Sequence, residues 1–418
     1  MKTVVGALSP NIEKDDALLA LKIFFRPWIW KNGPAIHQLE KDFSSYLGVI
    51  YSFAFNSGRS SLVAIMQSLE LSPGGNILVS GFTCNAAVNP IRWSRLVPRF
   101  IDIKTDLNIS VENLAKAIDA DTQGILIQHT FGRPVDMEKI QALTQNHHLL
   151  IIEDVAHALG GQFKGKKLGT FGKASFFSLG RDKIISSVSG GIAVTNDEKL
   201  AQNIQTFQKR AAHSSYRWIA QQLLHPILTY FVIIPAYEKG ELGRRILWIL
   251  QRLKILTKAV DRKEKRGEKP VCFPGQMPNA LAILAKHQFK KLARFNQHRN
   301  QIARIYAQGI TSPRVIKPTE RPGRVYLKYP LILKGKDELA DPVLAQLRQE
   351  HIILYDGWQN SPIVPSDTKL ERVGYTLGTC PEAEKISQRL INLPTHINVS
   401  EKQAKKIVFW VQKFITKA

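Results

Sequence analysis

Between about residues 50 and 200 the hydrophobic positions fall in short unbroken runs: YSFAFN, NILVS, VPRFIDI, GILIQH, LLIIED, ASFFSL and GIAVTN. Most are too uniformly apolar to leave one face for water. Strands of that kind sit in a mostly parallel sheet covered on both sides by helices. The stretches between them, such as 59–69 and 136–144, read as amphipathic helices. The pattern predicts an α/β layered domain with a mostly parallel seven-stranded sheet. In such sheets ligands collect at the carboxyl ends of the strands.

The rhythm breaks at 213–275. That region holds WIAQQLLHPILTYFVIIPAY, then RRILWILQRLKILTK, then the charged run DRKEKRGEK. From residue 276 the pattern changes again. Positions 279–306 read as a helical pair, VYLKYPLIL as a strand, DELADPVLAQLRQE as a helix and SEKQAKKIVFWVQKFI as a terminal amphipathic helix. These imply a large domain over 1–275, with 213–275 as an atypical helical insertion, and a smaller α+β domain over 276–418.

Composition adds three constraints. The chain has 418 residues, 44% of them hydrophobic and 22% charged, which is enough to bury a sizeable core. Cys84, Cys272 and Cys380 are odd in number, far apart and without metal-binding spacing, so a reducing cytoplasm and no metal are expected. The N-terminal MKTVVGALSPNIEKDD lacks a signal-peptide apolar core, so export is not expected. The net charge of +24 fits nucleic acid, an anionic membrane or anionic small molecules. No nucleic-acid-binding signature accompanies it, so nucleic acid is not expected.

Chemistry concentrates at predicted strand ends. Asp154 closes LLIIED, and Lys183 follows ASFFSL by a short loop. Ser57-Gly58-Arg59-Ser60 follows YSFAFN and opens a helix. Taken singly, Lys183 reads as a solvated loop residue, Asp154 as a helix cap and the turn as an ordinary N-cap. Together they match the needs of pyridoxal phosphate. That cofactor uses a Schiff-base lysine, an acid for its ring nitrogen and a helix N-terminus for its phosphate. Ser178 adds a candidate phosphate donor.

The chain resembles the DegT/StrS family of sugar aminotransferases, which have the fold type I architecture of the aspartate aminotransferase superfamily. The resemblance rests on FNSGRSSL, FGRPVDMEKI, IIEDVAHALGGQFKGKKLGTFG and FFSLGRDK, with MPNALAILAKHQFKKLARFNQHRNQIARIY and RLINLPTHINVS in the C-terminal part. It covers nearly all of the chain outside 213–275. It implies pyridoxal 5′-phosphate as cofactor, an amino donor such as glutamate, and a keto sugar, nucleotide-activated, as acceptor in glycan precursor synthesis. It also implies a homodimer with sites at the subunit boundary. By position, Lys183 is the Schiff-base lysine and proton shuttle, and Asp154 partners the ring nitrogen. Gly58, Arg59, Ser60 and Ser178 hold the phosphate. Phe82 is the candidate ring-stacking aromatic, with a core role the standing alternative.

Three positions depart from the family pattern. His157 stands for a common Gln and keeps a donor for the cofactor's 3′ oxygen. Arg59 replaces a hydroxyl residue after the turn glycine. Ser189 replaces the Glu of G-E-G-G, which bears on substrate geometry. Dehydratase members lack the lysine, so its presence favours transamination. A catalytically silent or regulatory protein on the same fold is the alternative of another class.

Within 216–269 two readings stay open. Lys239 to Lys269 contains eleven Lys or Arg against four Asp or Glu, and Arg244, Arg245, Gln251, Arg252 and Lys258 share one helical face. That suits an interfacial anchor at the inner face of a membrane, acting on lipid-linked sugars. Packing on the large domain or a partner subunit is the other reading. A spanning helix is not expected, because Gln221, Gln222 and His225 interrupt the apolar run and Pro226 should break it.

Overall fold

The computed structural model describes residues 3–6, 8–239, 242–335 and 339–417. All seven apolar runs become strands of one sheet: β1 Tyr51–Phe55, β2 Asn76–Ser80, β3 Val97–Ile101, β4 Thr122–Gln128, β5 Leu150–Asp154, β6 Ala174–Ser178 and β7 Gly191–Thr195. Their order across the sheet is β1-β7-β6-β5-β4-β2-β3. Strand β7 is antiparallel to both neighbours, and the other pairings are parallel.

That one reversal positions the site. Gly191, the first residue of β7, pairs with Ser178 at the end of β6 and with Phe55 at the end of β1. Neighbouring strands lie roughly 4.8 Å apart. The turn after β1 and the loop after β6 therefore start only about two strand widths from each other. Asp154 ends β5 on the other side of β6, in register with Phe176.

Alternation along the strands sends side chains to two helical layers. Phe53, Phe55, Ile152 and Phe176 pack with the helices Gly58–Ser68 and Asn85–Trp93. Ala54, Phe177, Ile192 and Val194 pack with Lys14–Phe24, Ala35–Leu47 and Asn279–Phe289. The last of these helices lies beyond residue 275 in sequence yet within the core of the large sheet. Its Ala280, Leu281, Ala282, Leu284 and Ala285 are all buried, and a helix apolar on most sides must be covered on most sides. The C-terminal core proper gathers from Ile302 onward around the antiparallel strands Lys328–Leu333 and Leu390–Pro394. Trp358, Ile363 and Val364 return to the large-sheet core.

The insertion differs from expectation in two respects. Pro226 does not break its helix. The run from Tyr216 to Lys239 stays helical for 24 residues, with Pro226 inside Tyr216–Leu228 and a π-helical turn at Thr229–Ile233. Losing one N–H loosens a helix, and a wider turn absorbs the displacement where packing holds the segment. Ile219, Leu223, His225, Pro226 and Ile233 are buried, and this run packs against Lys14–Phe24 and Asn279–Phe289. It is long and apolar enough to cross a membrane by length and composition, but its buried side belongs to the protein body. The second helix, Leu242–Arg252, stops short of Lys258. Lys254 takes a left-handed φ of 57°, which turns the chain back toward the sheet.

Candidate active site

The turn after β1 is built for close approach. Ser57 caps the helix Gly58–Ser68, its Oγ accepting the Ser60 N–H at 3.1 Å. A Cβ on Gly58 would lie 3.0 Å from the Ser178 Cβ, and one on Gly191 would lie 2.5 Å from the Gly58 nitrogen. Only glycines let these three segments meet. The first N–H groups of the helix, at Gly58 and Arg59, have no acceptor among the described residues, so they and the helix dipole face this corner as an anion site. The Ser178 hydroxyl stands beside it, accepting the Gly180 N–H at 3.3 Å. The Ser60 hydroxyl is committed elsewhere: it donates to Asn56 Oδ1 at 2.6 Å and accepts the Gly275 N–H at 3.3 Å. Ser60 thus also shapes the turn through its hydroxyl.

The Arg59 side chain leaves the turn. Its guanidinium turns away to form a buried ion pair with Glu264 of the insertion and covers the Phe273 ring at 4.4 Å. Burial opposes its charge, but Glu264 outweighs burial and raises its pKa. What Arg59 offers the turn is its backbone N–H. The Ser189 hydroxyl donates to the Asn56 carbonyl at 2.6 Å.

Lys183 lies on the loop between β6 and β7, its side chain 15% exposed and its Nζ 3.4 Å from Asp182 Oδ2. Asn11, from the N-terminal arm, donates to the carbonyls of Lys183 and Ile184, so the loop is tied by its backbone. Asp154 is 5% exposed. Burial pushes its carboxyl up to about 6, against the opposing Ala156 N–H, Lys183 and His129. The Ala156 N–H reaches Oδ1 at 2.9 Å, and among the described residues no side chain donates to Asp154.

His157 stacks on Phe131 with centroids 5.5 Å apart and 12° between planes, and Trp358 meets it edge-on at 5.0 Å. Burial, then the Lys183 charge, drives its pKa well below the usual imidazole range. The ring is therefore neutral. Its Nδ1 accepts the Phe131 N–H at 3.4 Å, which assigns the proton to Nε2 and leaves that N–H as a donor.

Phe82 sits deeper than expected. It is fully buried and packs edge-on to Trp358 at 5.3 Å and Phe131 at 6.4 Å. Phe131 and Trp358 are the same two rings that flank His157. Two residues on, Cys84 is only partly buried and feels both Lys183 and Arg59, although burial dominates and raises its thiol pKa.

The residues present fit pyridoxal phosphate. A buried carboxylate with no side-chain donor among the described residues, a lysine whose charge opposes the rise in its pKa, a neutral donor imidazole and a glycine-lined helix N-terminus lie at the carboxyl ends of β5, β6 and β1. Asn11, Asn56, Cys84 and Glu264 were not legible as site residues. Asn11 reaches its partners across 172 residues and Glu264 across 205; only Asn56, adjoining the turn, carried a local signal.

The chain is similar over nearly its full length to solved sugar aminotransferase structures. Helicobacter pylori PseC, an aminotransferase of pseudaminic acid biosynthesis, superposes with a TM-score of 0.77 at 22% identity, covering 100% of both chains. Escherichia coli O157:H7 GDP-perosamine synthase is 34% identical over 192 residues, 45% of this chain and 53% of that protein. Bacillus subtilis spore coat polysaccharide biosynthesis protein SpsC is 32% identical over 261 residues, 61% of this chain and 65% of that protein. The model of the DegT/DnrJ/EryC1/StrS aminotransferase family matches residues 10–228 and 245–412, and the chain belongs to that family.

Proposed function

We propose that this protein moves an amino group from an amino acid, glutamate first among candidates, to the keto group of a nucleotide-activated sugar in glycan precursor synthesis. The observation that carries the reading is that Lys183 and the buried Asp154, to which no side chain among the described residues donates, follow the paired strands β6 and β5 at their carboxyl ends. Named relatives support the sugar as acceptor: one is a GDP-perosamine synthase, and another, from Acidithiobacillus ferrooxidans, aminates a UDP-linked 3-keto sugar.

Pyridoxal phosphate, when bound, supplies an electron sink that allows a proton to leave a carbon bearing nitrogen. The chain's residues divide the remaining work. The Gly58 and Arg59 N–H groups and the Ser178 hydroxyl bind phosphate. Asp154, ionised against a protonated ring nitrogen, keeps that nitrogen charged. His157 donates from Nε2 to the oxygen beside the aldehyde. The Lys183 amine would hold the cofactor and, once freed by the incoming amino group, would take up and return a proton at its Nζ.

The working unit in this reading is a homodimer. Val271 is 91% exposed and adjoins Cys272, whose carbonyl receives Asn56 Nδ2 at 2.7 Å behind the turn. An exposed valine at the back of the cradle suits a subunit boundary.

The test is a panel of GDP- and UDP-linked keto sugars incubated with the cofactor-loaded protein and glutamate, read by mass spectrometry. An amino sugar formed in step with 2-oxoglutarate is the expected result. A protein that binds the cofactor but converts none of the panel, with any amino donor, refutes the reading.

A further inference from the structure

Among the described residues, the helix Leu242–Arg252 packs its apolar side chains through one face. Ile246, Leu247 and Leu250 pack on Ile233, Tyr237 and Leu256. With about 3.6 residues per turn, Arg245, Trp248, Ile249 and Arg252 fall on the opposite side. Trp248 is 57%, Ile249 47% and Leu253 64% exposed, and the Arg252 guanidinium covers the Trp248 ring at 5.2 Å. From Leu242 to Val260 the chain carries five Lys or Arg and no Asp or Glu.

Large apolar side chains clustered in the open mark a contact surface, and the charges select its occupant. A second copy is a poor choice. A two-fold contact through this face would set Arg245 and Arg252 against themselves. An anionic lipid surface answers both features. Arginines reach headgroup phosphates, tryptophan prefers the interfacial depth, and isoleucine and leucine enter the acyl boundary. We propose that this helix docks the protein on anionic phospholipid membranes, lying in the plane of the interface.

The docked face is joined to the active site. Just after the helix, Thr257 takes the Arg181 guanidinium on its carbonyl at 2.7 Å and on its hydroxyl. Glu264 takes Arg59. Arg181 lies two residues from Lys183, and Arg59 adjoins the phosphate turn. The cofactor cradle is thus bolted directly behind the docking helix, and a docked protein works at the membrane surface. The helix lies outside the site residues, so this inference stands or falls apart from the identity of the substrate.

The test is co-sedimentation of the cofactor-loaded full chain with phosphatidylcholine vesicles, with and without about 30% phosphatidylglycerol. Binding only to the anionic vesicles, released as salt shortens the screening length, is expected. R245Q/R252Q should lower the partition coefficient on the order of tenfold, and W248S/I249S should lower it similarly. Both variants should retain cofactor absorbance and melting temperature. Absence of binding at low salt overturns the proposal, as does binding that neither variant changes. Conversion of a dimer to a monomer by W248S/I249S would assign the face to a second copy instead.

Discussion

Glu264 and Arg59 form a buried ion pair across 205 positions of chain. One partner opens the helix of the phosphate turn, and the other belongs to the insertion. Glu264 also accepts the Asp261 N–H at 2.8 Å, and its carbonyl accepts from Asn89 Nδ2 at 2.8 Å. The insertion is therefore a wall of the cofactor cradle as well as an outer layer. Arg59 can occupy a position next to the turn glycine because Glu264 draws its charge aside.

Removing one partner strands the other. Glu264→Gln should cost about 3–5 kcal/mol of stability and weaken cofactor binding, because the freed guanidinium stays largely buried without its counter-charge. Arg59→Ser should cost a similar amount by stranding Glu264. The double variant should recover part of the loss. Denaturant melts and cofactor titrations of the three proteins check this. Single variants within about 0.5 kcal/mol of the parent would show the pair to be incidental.

Lys183→Ala should abolish transamination and leave the fold in place. Asn11 holds this loop through the Lys183 and Ile184 carbonyls, which the substitution keeps. Proton transfer by a positioned group alone is worth about 10²–10⁴-fold, and loss of the anchor adds to that. Turnover within tenfold of the parent, with an unchanged far-ultraviolet spectrum, would remove Lys183 from the chemistry.

The sheet was readable because each strand is a short, uniformly apolar run, and the strand ends Asp154 and Ser178 followed from it. The lysine and the turn were readable for the same reason, as they adjoin those ends. Side-chain direction was not. The Arg59 guanidinium points to Glu264, far away in sequence, while its backbone N–H stays at the turn. Phe82 and Cys84 differ by two positions in one segment, and their burial, full for one and partial for the other, comes from distant packing that no local pattern shows. Pro226 misled because propensity is local, whereas buried neighbours hold the Tyr216–Lys239 run together.

Gly58→Ala tests the cradle. The added methyl would lie 3.0 Å from the Ser178 Cβ, so β6 and the turn must part by a few tenths of an ångström. Alanine is otherwise acceptable at the first helical position, so global stability should fall by only about 1 kcal/mol. Cofactor affinity should fall on the order of tenfold, as N–H groups and hydroxyl lose a common focus. Equal affinity in the two proteins, measured by cofactor fluorescence, would place the phosphate elsewhere.

Asp154 carries a pH signature in the cofactor-free protein. Its carboxyl is raised from 3.8 to about 6, first by burial. The folded state thus holds a proton that the unfolded chain releases between these values. The contribution to stability is fully present below about pH 4 and is lost as pH rises through about 6, where the ionised group pays for its burial. A shift of that size corresponds to about 3 kcal/mol. Asp154→Asn does not titrate, so the melting temperature of the parent, relative to this variant, should climb as pH falls from 7 to 4. Cofactor reverses the preference, since a protonated ring nitrogen favours the ionised carboxylate. The pH-dependent difference should therefore shrink or vanish in the loaded protein, and Asp154→Asn should keep the cofactor yet turn over far more slowly. Parallel melting curves for parent and variant across this range, with and without cofactor, would show that Asp154 neither holds the proton nor meets the ring.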